Sequence, residues 1–458
     1  MQQAARVAAE IWAALDGPPG ALDRLGISGD GALSSAFAVT DLAAGSIAAA
    51  GLALAEVAGV EAVAGAEATV QVDRRLASFW FATSVRPEGW SVPPPWDPVA
   101  GDYRARDGWI RLHTNAPRHR AAAERVLGPQ VDRDGMARAV AGWETGALEG
   151  AILAEGGAAA EMRDGPAWAA HPQGRAVAAE PLVTFDAEPS RGPVPRESCP
   201  GRPLAGLRVL DLTRVLAGPV ASRFLAGYGA DVLRIDPPDW DEPALAPEVT
   251  VGKACARLDL RTPEDRATFE RLLAGADVLL HGYRPGALEG LGYGAAERRR
   301  IAPGLIDVGL DAYGWTGPWA RRRGFDSLVQ MSTGIAAAGQ AWREAVRPVP
   351  LPVQALDHAT GYIAAAAALR LLARRTSGDA RLSLARTAAL LAAAGPAAAA
   401  EPPAPETAAD LAQAVEATAW GPARRLRPPL SVAGAAMRWD RPARRLGSDA
   451  PAWSAGPG

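Results

Sequence analysis

From residue 204 onward the chain alternates short apolar runs with helix-length segments, and few architectures accept that rhythm. Residues 206–212 form a short, mainly apolar run typical of a buried parallel strand, and 230–236, 277–281 and 305–310 read as further strands. Helical segments at 220–228, 263–274 and 295–301 separate them. Strands alternating with helices at this spacing predict a doubly wound parallel sheet, an α/β Rossmann-like domain. In such sheets ligands sit beyond the carboxyl ends of the strands. One rim should therefore carry residues 214–219, Arg234, residues 281–286 and residues 313–317.

The N-terminal region reads differently. Residues 1–30 suggest a helix and a Gly/Pro loop, and residues 34–58 contain a long small-residue helix interrupted by Asp41 and Glu56. Its length would permit a membrane span, but its Ala/Gly content and acids favour a buried helix. A Pro/Trp connector at 85–100 leads to Asp107-Gly108 flanked by alternating residues, a hairpin signal. With amphipathic helices at 117–127 and 132–155, this predicts a smaller α+β domain ending near residue 185. The expected organisation is an N-terminal region over residues 1–185, a proline-rich linker 186–203, a sheet domain 204–392 and an Ala/Pro-rich C-terminal region 393–458, of which 393–425 should be mobile or loosely packed.

Two stretches share a pattern. Asp41 and Asp357 are each followed four residues later by glycine (Gly45, Gly361) and an alanine-rich helix, which suggests partial internal duplication. Pro348, Pro350 and Pro352 cannot sit inside a helix, so a helix should begin close to Asp357. A carboxylate there faces free backbone N–H groups and the positive end of the helix dipole, as an N-cap or as a functional group.

Composition excludes several functions. A formal net charge of −3 gives no footprint for nucleic acid or an anionic membrane. Cys199 and Cys255 make no disulfide scaffold, and His113, His119, His171, His281 and His358 show no metal-ligand spacing. The N-terminus lacks the basic and apolar regions of a secretory signal, so a cytoplasmic protein is expected. The first strand-to-helix turn, residues 214–219, lacks G-x-G-x-x-G and contains Pro219, so a nicotinamide or flavin dinucleotide is unsupported. Arg234, Lys253, Arg257 and Arg284 near the strand ends suit an anionic, nucleotide-like ligand.

Several ordered segments resemble the family III CoA transferases. Residues 203–219 resemble the family's opening strand and loop, and Gly229-Ala-Asp-Val-Leu-Arg-Ile-Asp-Pro-Pro238 its second strand. Lys253 to Leu260 resembles the N-x-x-K-R-x-x-x-L-D-L segment, with Gly252 and Ala254 departing from it. Residues 276–286 resemble A-D-V…N-F-R-P-G, with His281-Gly282 in place of the usual acidic-Asn pair. Tyr313-Gly-Trp-Thr-Gly-Pro318 and Gly324-Phe-Asp-Ser-Leu-Val-Gln330 resemble the next blocks, and Asp357 falls on the nucleophilic aspartate. The small domain precedes the sheet here, whereas the family places it after.

The resemblance implies a CoA transferase acting through an aspartyl anhydride and an aspartyl-CoA thioester on Asp357. Acyl-CoA and a carboxylic acid would be the substrates, with no resident cofactor or metal. It implies CoA contacts at Val215, Ala217, Gly218, Arg234, Lys253, Tyr283 and Arg284, and a homodimer that binds neither nucleic acid nor membrane. Two alternatives stay open. One is a 2-methylacyl-CoA racemase, whose G-H-D histidine is replaced here by Phe325. The other is a non-catalytic CoA-binding homologue.

Overall fold

The structure, a computed structural model, describes residues 1–60, 69–188 and 199–454. Most of the expected linker 186–203 lies outside the described residues. The architecture is mixed α/β around a seven-stranded sheet. Taken in chain order, Arg208–Leu212, Asp231–Asp236, Lys253–Arg257, Val278–His281, Ile306–Asp311 and Ser377–Ser383 are six parallel strands arranged 3-2-1-4-5-6. This is the doubly wound order, whose switch point lies between the first and fourth strands. A seventh strand, Thr184–Glu188, pairs antiparallel with Ser377–Ser383 and covers that edge with backbone from the N-terminal region.

Two of the six parallel strands are not apparent from sequence. Lys253–Arg257 and Ser377–Ser383 carry polar and charged residues instead of an apolar run. The expected helix 132–155 is two helices, Arg133–Ala141 and Thr145–Ala154, the second tied to the predicted hairpin where Asp107 accepts the Thr145 N–H at 2.8 Å. The hairpin itself, Gly101–Arg104 with Trp109–Leu112, forms as its turn chemistry requires.

The core centres on two helices. Ala355–Ala373 is buried through Leu372, and Val39–Val57 through Ala55. They pack on each other; alanine all round leaves neither with a solvent face. Val39–Val57 is long and apolar enough to cross a membrane by composition, and here it is a core helix.

The two helices repeat each other in detail. Both have 19 residues, with N-cap φ/ψ of −74°/60° at Ala38 and −75°/64° at Gln354. Both open on the same tight turn, Val39 N–H to Phe37 C=O and Ala355 N–H to Val353 C=O, each 2.8 Å. Asp41 and Asp357 are each the third helical residue. An added Cβ at Gly45 would lie 2.9 Å from Ala8 N, and one at Gly361 2.3 Å from Ala217 O. Glycine thus admits a second helix at the same point, Gln2–Ala14 in one case and Ala217–Gly227 in the other. Each unit continues into a strand and a side-chain-capped helix: Val70–Asp73 with Arg74–Trp80, and Ser377–Ser383 with Leu384–Ala393.

Within 393–425, residues 401–407 form no helix or strand and are mostly exposed, whereas the chain that follows is tied into sheets. Gly421–Arg425 pairs with Val85–Pro87, and Leu430–Val432 with Val70–Asp73. The partner strands come from the N-terminal region, so the segment gains its order from edges far away in sequence.

Candidate functional site

A cavity of about 360 Å³ opens at the switch point. Its floor includes Leu212 and Thr213 from the end of the first strand, Gly282 and Tyr283 from the end of the fourth, and Asp311 from the fifth. Asp357, Val215, Ala217, Gly218, Tyr283 and Arg284 all line it. The start of Ala217–Gly227 and the start of Ala355–Ala373 meet here because Gly361 lets the two helices cross closely. Two helix N-termini at one cleft favour negative charge.

Asp357 is not a cap. The helix starts two residues earlier at Ala355, after Gln354, so the carboxyl lies in the first turn. Its neighbour is a second buried acid, Asp326, which opens the helix Asp326–Ser332. Asp326 Oδ2 accepts the Asp357 backbone N–H at 3.0 Å. Gln330 donates to Asp326 Oδ1 and accepts the Leu351 N–H at 2.7 Å, which fixes the proline-rich approach to the helix. Burial pushes Asp326 up to about 6, against the stabilising N–H donors of Asp357 and Leu356. Burial, and then the Asp326 charge, lift Asp357 well above the ordinary carboxylate range. The pair therefore retains a proton near neutrality.

The duplicated aspartate has the opposite surroundings. Asp41 accepts from Arg74 at 3.0 Å, both side chains being over nine-tenths buried. Among the described residues, no cation forms an ion pair with Asp357.

Two sequence expectations are corrected. Arg234 and Lys253 do not face the cleft; both side chains are fully buried. Arg234 pairs with Asp236 at 2.9 Å and with Glu242 at 2.5 Å. Glu242 in turn accepts the Val215 N–H at 2.9 Å. Val215 holds φ at 66°, a left-handed conformation that a β-branched residue adopts only under constraint. Arg234 thus supports the rim through Glu242. Lys253 donates to Asp211 at 3.1 Å, Ser222 Oγ at 2.6 Å and Pro219 C=O at 3.0 Å, tying the cleft helix to the first strand.

Other expected positions are equally defined. His358 turns away from the cleft and stacks on Phe81 at 4.9 Å, with burial pushing it down to about 3. Phe325 lines the cavity and stacks on His113 of the small domain at 3.8 Å. His281 lies against Asp307, at 3.2 Å, beside a second cavity. Loop 313–317 is clamped from the N-terminal region: Gln173 donates to Tyr313 C=O and Thr316 C=O, each 2.8 Å, and Glu180 accepts the Trp315 N–H at 2.9 Å.

Sequence reasoning assigns no role to Asp326, Asp311, Arg118, Trp240 or Arg323, all at or lining the cleft. Asp326 and Gln330 stand within the segment 324–330, which resembles a family block; Arg118 comes from the small domain, where no sequence signal points to the cleft. Among the described residues, no cluster of three or more His, Cys, Asp or Glu side chains is placed to hold a metal.

Comparison with known proteins adds an independent finding. Residues 204–419 match the family described as CoA-transferase family III. The chain is 37% identical over 183 residues to the acetyl-coenzyme A transferase nodX of Hypoxylon pulicicidum, covering 39% of this chain and 31% of that protein. It is 33% identical over 196 residues to the succinyl-CoA:glutarate CoA-transferase of Mus musculus, covering 40% and 44%. A crystal structure of Rv3272 from Mycobacterium tuberculosis aligns at 32% identity with a TM-score of 0.39, covering 43% of this chain and 58% of that one. The chain spans less than half the length of both curated relatives. Residues 204–419, just under half of the chain, are thus similar to CoA-transferase family III.

Proposed function

We propose that the chain moves CoA from an acyl-CoA to a carboxylic acid, with Asp357 as the nucleophile. The observation that carries this reading is Asp357 itself: a carboxyl lining the switch-point cleft, beside two helix starts, with no cation among the described residues paired to it. The Asp357 carboxylate attacks the thioester carbonyl, the C–S bond breaks, and CoA leaves as thiolate from a mixed anhydride. The thiolate then attacks the Asp357 carbonyl, freeing the donor acid and leaving an aspartyl-CoA thioester. The acceptor carboxylate repeats the first step on that thioester. Returning thiolate attacks the acceptor carbonyl and regenerates Asp357. Asp357 must first give up the proton that the pair retains near neutrality; once ionised, its carboxylate needs no further base, and N–H groups at the helix starts suit the oxyanion. Arg214 and Arg284, with Tyr283, line the same cleft and suit CoA phosphate.

Asp357→Asn should abolish exchange while circular dichroism stays unchanged. Hydroxylamine added with acyl-CoA should label Asp357 and not Asp41 on peptide mass analysis. Label on Asp41, or full exchange by Asp357→Asn, would overturn the assignment. The racemase alternative needs a base where Phe325 stands, and the ring behind it, His113, is pushed down to about 3 by burial. Deuterium uptake at the α-carbon of a 2-methylacyl-CoA without an acceptor acid would favour it; CoA binding with neither reaction would favour a non-catalytic homologue.

A further inference from the structure

One acid of the cleft has no counter-charge. Asp311 is the last residue of the strand Ile306–Asp311 and lines the cavity together with Asp357. Its Oδ1 accepts the Gly314 N–H at 2.8 Å, which closes the turn that follows the strand. Among the described residues, Oδ2 makes no hydrogen bond and no cation forms an ion pair with either oxygen. The cleft is not short of cations: Arg118, Arg214, Arg284, Arg322 and Arg323 line the same cavity. Three of them are directed elsewhere. Arg214 donates to Tyr283 OH at 2.9 Å, Arg322 to Glu149 at 2.7 Å and Arg323 to Gly156 C=O at 2.6 Å.

The charge that Asp311 does face is a second acid. Glu180, which follows the helix Pro172–Ala179, accepts the Trp315 and Thr316 N–H groups at 2.9 and 2.7 Å. Gly314 lies between the two carboxyls: it holds φ at 102°, and an added Cβ would stand 2.9 Å from Glu180 Oε2. From the neighbouring strands, Ser383 stands beside Asp311, and His281 beside Gly309 with its ring against Asp307 at 3.2 Å. Arg386, on the next helix, is engaged by Glu180 C=O at 2.7 Å. Burial, and the Glu180 charge, lift Asp311 to about 8 against the Gly314 N–H. An acid so placed carries its proton at neutrality, and a protonated carboxyl has an O–H to donate where a carboxylate has only acceptors.

We propose that Asp311 works as an un-ionised carboxylic acid whose O–H donates to a carbonyl oxygen of the bound acyl-CoA, and that loss of this proton weakens the hold on that substrate. The chemistry of the cleft divides accordingly. Arginines suit the charged phosphates. An uncharged carbonyl is suited by an uncharged donor, which the free oxygen of Asp311 supplies at the end of the fifth strand. Ionised, the same group would offer the carbonyl no donor and would add a negative charge to a site for an anion. This rests on the CoA-transfer reading above and adds to it a substrate contact that operates in one protonation state.

The test is the pH profile of kcat/KM for acyl-CoA in the full-length protein, beside those of Asp311→Asn and Asp311→Ser, whose donors do not titrate in this range. Wild type should fall about tenfold per pH unit between about pH 8 and about pH 9.5. Both variants should be about threefold slower than wild type at neutrality, their donors being weaker, and should stay level over that interval. A later fall set by Arg323, which burial and its arginine neighbours push down to about 10, should be common to all three. Calorimetric titration with a CoA thioether, which keeps the pantetheine amides but has no thioester carbonyl, locates the acceptor. A Kd that rises over the same interval assigns an amide carbonyl; a constant Kd while kcat/KM falls assigns the thioester carbonyl. An alkaline fall retained in the variants, or a wild-type profile level to about pH 9.5, would overturn the proposal and leave CoA transfer standing. Exchange absent at every pH, with no binding of the thioether, would instead overturn the CoA-transfer reading. Circular dichroism at each pH separates titration of Asp311 from loss of fold.

Discussion

Asp326→Asn separates the charge of Asp326 from its hydrogen bonding. Asn retains an oxygen for the Asp357 N–H, now 3.0 Å from Asp326 Oδ2, but removes the negative charge that lifts Asp357. Two carboxylates about 5 Å apart at an effective dielectric of about 20 repel by about 3 kcal/mol, or about two pH units. The acid limb of kcat/KM for exchange should therefore move down by about two units in the variant. Stability follows the same sign. Both acids are raised in the folded state, Asp326 to about 6. Their contribution is thus fully present below the unfolded value of about 3.9 and is lost as pH rises through the folded range. Wild type should lose stability over that window, and the variant should lose less. The Asn amide also faces the Gln330 amide, which is held by the Leu351 N–H at 2.7 Å, so a constant cost of about 1–3 kcal/mol is superimposed. An acid limb that stays in place while the rate falls would refute the electrostatic account and reduce Asp326 to a structural clamp.

Other outcomes follow from the same geometry. Arg74→Ala leaves Asp41 buried without its cation, 3.0 Å away in wild type, and should cost about 3–5 kcal/mol in denaturant unfolding. Asp41→Asn should leave exchange within about twofold of wild type, since Asp41 is absent from the cleft lining. Gly361→Ala places a Cβ 2.3 Å from Ala217 O; it should cost about 1–3 kcal/mol and depress exchange by spreading the two helix starts.

The sheet is readable because strands covered on both faces become short apolar-rich runs, most plainly Val278–His281. Lys253–Arg257 and Ser377–Ser383 are not, because their charges are satisfied by partners distant in sequence, Asp211 for Lys253 and Arg299 for Asp379. Arg234 carries a local warning: Asp236 is two residues on and so on the same strand face. That pairing turns a rim cation into an internal one. Lys253 carries no such warning. Asp357 is readable from its proline-rich approach and small-residue helix, whereas Arg118 reaches the cleft only through tertiary placement of the small domain.

The duplicated helix start gives the deepest contrast. Backbone geometry at Ala38 and Gln354 differs by a few degrees, and each third residue is a buried aspartate. Backbone and helix dipole are therefore common to both sites and cannot separate them. The neighbours separate them: a guanidinium at Asp41, a second carboxyl at Asp357. A buried carboxylate paired with arginine is stabilised as an anion and its electrons are engaged. One beside another carboxylate is destabilised as an anion, which holds Asp357 well above the ordinary carboxylate range. The same fold element thus holds a paired core acid in one half and a cleft-lining acid beside a second carboxyl in the other, through the identity of one adjacent side chain.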